Sequence, residues 1–236
     1  MNIFHTSVNI GFVIPAKAGI QFNKNAGFRV KPGMTALFIL LLAALVFSSS
    51  VSAAKNILVF GDSLSAGYGI ARDASWVSLL QNELKQTHAQ YEVVNASISG
   101  ETTAGGLRRI TKALQEHHPA IVILELGAND GLRGTAITET EKNLNQIVKA
   151  AQKANAKVLL LGIQIPPNYG LDYTKSFTAL YPKLAKRHDI ALVPFMLQGI
   201  APEQFQADNL HPNAAAQPQI LRNVLPKLKL LLAPSP

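Results

Sequence analysis

From Lys55 onward the chain alternates short β-branched or apolar runs with longer amphipathic segments, and that alternation restricts it to βα units around a parallel sheet. The predicted strands cover residues 57–60, 91–96, 120–126, 157–163 and 190–193. The predicted helices cover 76–86, 104–117, 139–154, 172–186 and 213–225, with apolar residues at helical spacing, as in Leu144, Ile147, Val148 and Ala151. The last helix is the least regular, since Pro218 falls inside it and Pro226 just beyond it. The continuous run Ile121-Val122-Ile123-Leu124 suits a central strand buried on both faces. Such a sheet keeps its reactive groups at the carboxyl ends of its strands. The long loops 165–170 and 194–209 both follow strands and belong on that rim.

Residues 1–54 read as a leader. The apolar run 36–47 is shorter than the ~20 residues that span a bilayer and is followed by Val51-Ser52-Ala53-Ala54, so the segment is expected to be a signal peptide cleaved after Ala53 or Ala54. An uncleaved anchor is the alternative, disfavoured by the short apolar run. A signal peptide begins close to its apolar run, whereas residues 1–33 form a Gly- and Pro-containing stretch with scattered charges, so Met34 is the expected start. Residues 55–236 then form one domain, expected in the periplasm or secreted, without stable membrane insertion.

Four of the charges behind the formal net +8 are Lys17, Lys24, Arg29 and Lys31, and the leader contains no acid, so +4 remains on the rest. That is mildly basic, compatible with weak contact with an anionic membrane surface but not a nucleic-acid signature. The chain contains no cysteine, which excludes a disulfide framework, a cysteine nucleophile and a lipidated N-terminal cysteine. No exposed apolar stripe is evident, and a monomer is expected.

The first predicted strand breaks at Gly61, and Gly61-Asp62-Ser63-Leu64-Ser65 delivers a serine to its carboxyl end. A serine hydroxyl is a poor nucleophile until a positioned base removes its proton. Asp208-Asn209-Leu210-His211-Pro212 offers that base compactly, with a carboxylate three residues before a histidine. Asn95-Ala96-Ser97-Ile98-Ser99-Gly100 follows the second strand, and the unhindered N–H of Gly100 could point into a pocket. Gly127-Ala128-Asn129-Asp130 ends the third, and the Asn129 amide is a neutral donor suited to an oxyanion. Singly, each has an ordinary explanation: Asp208 as the cap of the last helix, Asn129 as a turn residue. Together, in chain order at strand ends, they support one another.

This ordered set resembles the SGNH, or GDSL-type, hydrolase family, whose Ser, Gly, Asn and His blocks are matched by Ser63, Gly100, Asn129 and His211. The resemblance spans nearly all of residues 55–236. Segments 61–68, 94–100, 125–134 and 181–186 are similar to its bacterial periplasmic subgroup of multifunctional thioesterases, lysophospholipases and arylesterases; Ala128 stands where that subgroup has Gly. The resemblance implies a flavodoxin-like three-layer α/β/α sandwich with a five-stranded, mainly parallel sheet. It also implies hydrolysis of aryl esters, fatty acyl thioesters and lysophospholipids through an acyl-enzyme on Ser63, with Asp208 and His211 completing a triad. Ser63, Gly100 and Asn129 would form the oxyanion hole.

Asp62 neighbours the serine, but adjacent side chains point apart, so it reads as a structural carboxylate that ties down the loop. His88, His117, His118 and His188 sit at polar positions in or beside helices; no cluster has metal-ligand spacing, and neither metal nor other cofactor is expected. Loops 163–170 and 70–76 should flank Ser63, offering Ile165, Pro166 and Tyr169 as acyl-groove lining, with Trp76 either lining or core. Two other readings stay open: a carbohydrate O-acetyl esterase acting on envelope polysaccharide, and a non-catalytic lipid- or glycan-binding protein. The intact block residues argue against the second.

Overall fold

A computed structural model describes residues 54–232; the expected leader and its start lie outside them. Five strands form where the apolar runs predict them: β1 (Lys55–Gly61), β2 (Tyr91–Asn95), β3 (Ile121–Glu125), β4 (Lys157–Leu161) and β5 (Ala191–Val193). Every pairing is parallel, in the order β2-β1-β3-β4-β5, so the sheet is wholly rather than mainly parallel. Parallel neighbours cannot be joined by a tight turn, and helices fill the crossovers. In chain order these are α1 (Ser63–Ala66), α2 (Trp76–Thr87), α3 (Thr103–His117), α4 (Ala128–Leu132), α5 (Ile137–Lys153), α6 (Leu171–His188) and α7 (Gln217–Lys229). Helices α2 and α7 pack together, while α3, α5 and α6 form a second group, giving the flavodoxin-like three-layer sandwich.

All of β3 is buried, as its apolar run predicts, and the burial includes the terminal Glu125. The edge strand β2 is shielded by α2, where Gln81 Oε1 accepts the Val93 N–H at 2.6 Å. Trp76 belongs to the core: it is fully buried, its indole N–H donates to the Leu64 carbonyl at 3.2 Å and its backbone N–H to Gln217 Oε1 at 3.0 Å. The prolines of the last helix are placed differently from expectation. Asn213 caps a separate turn at Ala214–Ala216, so α7 starts later and Pro218 falls in its first turn, where a missing N–H is harmless. Pro226 lies inside the helix, not beyond it; it is exposed near the last turn and removes one backbone hydrogen bond.

Strand β1 lies between β2 and β3, so the crossovers leaving β1 and β3 diverge and open a crevice at their carboxyl ends. The register sets Gly61 beside Glu125, and Ser63 and Asn129 emerge a few residues beyond each. Gly61 has no room for a side chain: a Cβ would stand 2.6 Å from Glu125 Oε2 and 2.9 Å from the Glu125 carbonyl oxygen. Gly61→Ala is therefore expected to destabilise the fold by about 1–3 kcal/mol, as overpacked cores do. Urea unfolding measures it, and an unchanged midpoint would mean that the Glu125 carboxyl moves aside freely.

Candidate active site

Asp62 turns the chain out of β1. Its Oδ1 accepts the Leu64 N–H at 3.0 Å and caps the single turn α1, of which Ser63 is the first residue. Gly67, with φ at +76°, ends that turn. The Ser63 side chain is therefore held at the rim by backbone geometry. Its own N–H has no acceptor among the described residues.

The histidine arrives on a closed loop. Phe205 and Pro212 form an antiparallel bridge, Gln206 N–H donates to the His211 carbonyl at 2.8 Å, and Asn209 takes a positive φ of 56° to make the turn. Asp208 Oδ1 accepts the N–H groups of Leu210 and His211 at 2.9 and 3.0 Å, an Asx-type turn rather than a helix cap. Its Oδ2 lies 2.7 Å from His211 Nδ1, and His211 Nε2 lies 2.8 Å from Ser63 Oγ. The His211 backbone N–H, its ring and the Leu210 N–H hold the Asp208 carboxyl down to about 2. Asp208 is thus an acceptor at any ordinary pH, which puts the imidazole proton on Nδ1 and leaves Nε2 to accept from the Ser63 hydroxyl. The Tyr68 ring packs against the His211 ring with centroids 4.6 Å apart and planes tilted by 42°, and Gln206 Nε2 donates to the Tyr68 carbonyl at 2.8 Å, tying the two loops together.

Gly100 adopts φ of +79° with nothing within 4 Å of an added Cβ, and its N–H also has no acceptor among the described residues. Two backbone donors are thus unpaired on this rim. The Asn129 amide differs from expectation: it borders the same cleft, but its two hydrogens already go to Asp62 Oδ2 at 3.1 Å and the Glu101 carbonyl at 3.0 Å. It can serve an oxyanion only by sharing one of them. The cleft, about 190 Å³, brings Ser63, Asn129 and His211 against the apolar side chains of Leu132, Ile163 and Ile165. Pro166 also lines it. Tyr169 does not: it ends the turn Pro167–Tyr169 and is 38% exposed. Among the described residues no group of three or more His, Cys, Asp or Glu could hold a metal ion.

Behind Ser63 lie two buried acids, of which the sequence singled out one. Asp62 is fully buried and acts as the expected structural carboxylate, holding Leu64 and Asn129. Glu125 is equally buried and accepts from the Asp62 N–H and the Ser65 hydroxyl. The available signal was a lone acid closing an otherwise apolar strand. Tyr68 was overlooked too; nothing in its spacing marks a ring over His211. Asp130, next to Asn129, accepts the Thr103 N–H and hydroxyl at 2.8 and 2.6 Å, fixing the start of α3 just beyond Gly100.

Burial raises Asp62 to about 6, opposed by its Leu64 bond, His211, Glu125 and Asn129. The folded protein therefore keeps this proton to higher pH than the unfolded chain. The Asp62 contribution to stability is greatest below about pH 4, declines as pH rises to about 6 and is level above. Asp62→Asn should abolish that decline, up to about 3 kcal/mol, in urea midpoints compared at pH 4 and pH 7. An identical decline in the variant would assign it to another group.

Residues 59–217 match the GDSL-like Lipase/Acylhydrolase family. The chain is 49% identical over 201 residues to Esterase TesA of Pseudomonas aeruginosa, covering 84% of this chain and all of that protein. It is 45% identical over 183 residues to Thioesterase 1/protease 1/lysophospholipase L1 of Escherichia coli, covering 77% of this chain and 86% of that one. A solved structure of TesA superposes with a TM-score of 0.74 at 49% identity, over 75% of this chain and 100% of that one. By motif, fold and likeness along most of its length, the chain belongs to the GDSL-like lipase/acylhydrolase family.

Proposed function

We propose that this protein is a serine hydrolase that cleaves acyl esters and thioesters, including aryl esters, fatty acyl thioesters and lysophospholipids, through an acyl-enzyme on Ser63. The observation that carries this reading is the unbroken line from Ser63 Oγ to His211 Nε2 at 2.8 Å and from His211 Nδ1 to Asp208 Oδ2 at 2.7 Å. His211 takes the Ser63 proton as Oγ attacks the acyl carbonyl, and the Asp208 carboxylate stabilises the imidazolium. The oxyanion is met by the unpaired N–H groups of Ser63 and Gly100 and by Asn129, which turns one hydrogen from its present acceptor. Each such donor is worth about 2.7–4 kcal/mol of transition-state stabilisation. The imidazolium then protonates the leaving alcohol or thiol, and His211 activates water to release the acid.

The cleft supports an aliphatic acyl group over a sugar, because Leu132, Ile163, Ile165, Pro166, Leu197 and Leu210 line it beside the serine. The names borne by the relatives, esterase and thioesterase with lysophospholipase, favour the same substrates. Export after removal of residues 1–53 or 1–54 completes the proposal, with the exported chain acting as a monomer. No helix among the described residues is long and apolar enough to cross a membrane.

p-Nitrophenyl esters from acetyl to palmitoyl provide the test. Activity is expected to rise beyond acetyl and to fall at least about 10³-fold in Ser63→Ala. Acetyl-only activity would favour a carbohydrate esterase, and equal activity in the variant would remove Ser63 as nucleophile. An organophosphorus ester should leave one adduct on Ser63, whereas binding without modification would indicate a non-catalytic protein. N-terminal sequencing of the exported chain should begin at Ala54 or Lys55; a start within the leader would overturn the cleavage reading.

A further inference from the structure

Glu125 poses a problem of hydrogen bonding that its neighbours resolve in only one way. Its Oε2 accepts from the Asp62 N–H at 3.2 Å and the Ser65 hydroxyl at 2.8 Å. Its Oε1 is equally buried, and no donor among the described residues points at it. A carboxylate oxygen left bare in the interior is strongly disfavoured, whereas a carboxylic acid there carries a donor and requires an acceptor. The candidate acceptor is Asp62, which follows Gly61 at the end of β1 beside Glu125 and whose own N–H already meets Glu125 Oε2 at 3.2 Å.

The other charged or titratable groups facing the pair do not compensate two negative charges. Tyr181 of α6 is buried against it, but its hydroxyl donates to the Leu126 carbonyl at 3.1 Å. Asp130 of α4 is a further acid, engaged by Thr103. His211 feels the Asp62 charge from the far side of Ser63, yet its ion-pair partner is Asp208. Neither Asp62 nor Glu125 forms a salt bridge with any described Lys or Arg.

We infer that Glu125 carries a proton on Oε1 and donates it to Asp62, so that it is a positioning residue of the hydrolytic site. It orients the Asp62 carboxylate, which holds the Leu64 N–H beneath Ser63 through one oxygen and the Asn129 amide through the other. Both Asp62 oxygens already accept a hydrogen, from the Leu64 N–H and the Asn129 amide, whereas Glu125 Oε1 accepts none, so the shared proton resides on Glu125, in keeping with the upward push that burial and the Asp62 charge give its carboxyl. Glu125 thus behaves as a neutral donor and Asp62 as the single anion behind the nucleophile. The catalytic half of this inference rests on Ser63 being the nucleophile; the protonation half does not.

The experiment compares Glu125→Gln, Glu125→Ala and Asp62→Asn with the wild type, through kcat, KM and the pH dependence of kcat/KM on p-nitrophenyl butyrate. Glutamine reproduces a neutral donor, so Glu125→Gln should keep kcat within about threefold, with the acid limb unmoved, while Glu125→Ala should lose about 10²-fold in kcat with little change in KM, the scale of a lost oxyanion donor. Asp62→Asn removes the anion facing the imidazolium and should shift the acid limb to lower pH. A Glu125→Gln acid limb displaced like that of Asp62→Asn would mean an ionised Glu125 and overturn the inference. So would a fully active Glu125→Ala. Infrared difference spectra of wild type against Glu125→Gln in heavy water at pH 8 give a readout independent of turnover. The carbonyl stretch of a protonated carboxylic acid should be present in the wild type and missing in the variant. Its absence from the wild type would refute the shared proton even if the esterase reading held, and its presence would stand even if Ser63→Ala remained active.

Discussion

The parallel pairing of β1 with β3 is the constraint on which the rest of the site depends. It sets Gly61 next to Glu125, so the loops carrying Ser63 and Asn129 leave the sheet side by side where the crossovers diverge. The absent side chain at Gly61 is what lets a carboxyl group occupy the space between the strand ends. Asp62 and Ser65 then converge on that carboxyl, and the turn bearing the nucleophile becomes an extension of the sheet rather than a free loop.

The base is supplied differently. Asp208 and His211 stand on a loop far along the chain that is closed on itself by the Phe205 and Pro212 bridge and by an Asx-type turn. Their mutual geometry is local; only the approach to Ser63 is tertiary, and it is secured by Gln206 reaching the Tyr68 carbonyl and by the Tyr68 ring packing, tilted, against the imidazole. A local pair docked onto a rigid turn needs few long-range contacts to be correct. That fits a base loop whose Asp208 is 38% exposed while the serine is nearly buried.

Much of this was legible in the sequence, for physical reasons. Strands buried on both faces advertise themselves as apolar runs, and each block residue sits just past such a run, where a parallel sheet places its reactive rim. The Asp208 to His211 spacing is short enough that chain geometry alone brings the side chains together. What could not be read depends on contacts between distant segments. The buried role of Glu125 requires knowing that β3 lies beside Gly61, and the engagement of Asn129 requires the Glu101 carbonyl and Asp62 to meet around its amide. Trp76 fits either core or groove until Leu64 and Gln217 are seen around it. Tyr169 looked like groove lining because its loop follows β4, but the turn that precedes α6 leaves it off the cleft. Pro226, expected just beyond the last helix, lies inside it, because near an exposed helix end it removes only one backbone hydrogen bond.

The cleft wall built by Ile163, Ile165 and Pro166 comes from the connection between β4 and α6, and that connection contributes none of the groups in the serine, histidine and carboxylate network. Chemistry and selectivity are therefore written on separate pieces of chain. An insertion, deletion or transplant in residues 164–170 can redraw the range of acceptable acyl groups while the proton relay stays as it is, so this segment is where divergence within the scaffold meets least resistance and where directed evolution of chain-length preference has the most freedom.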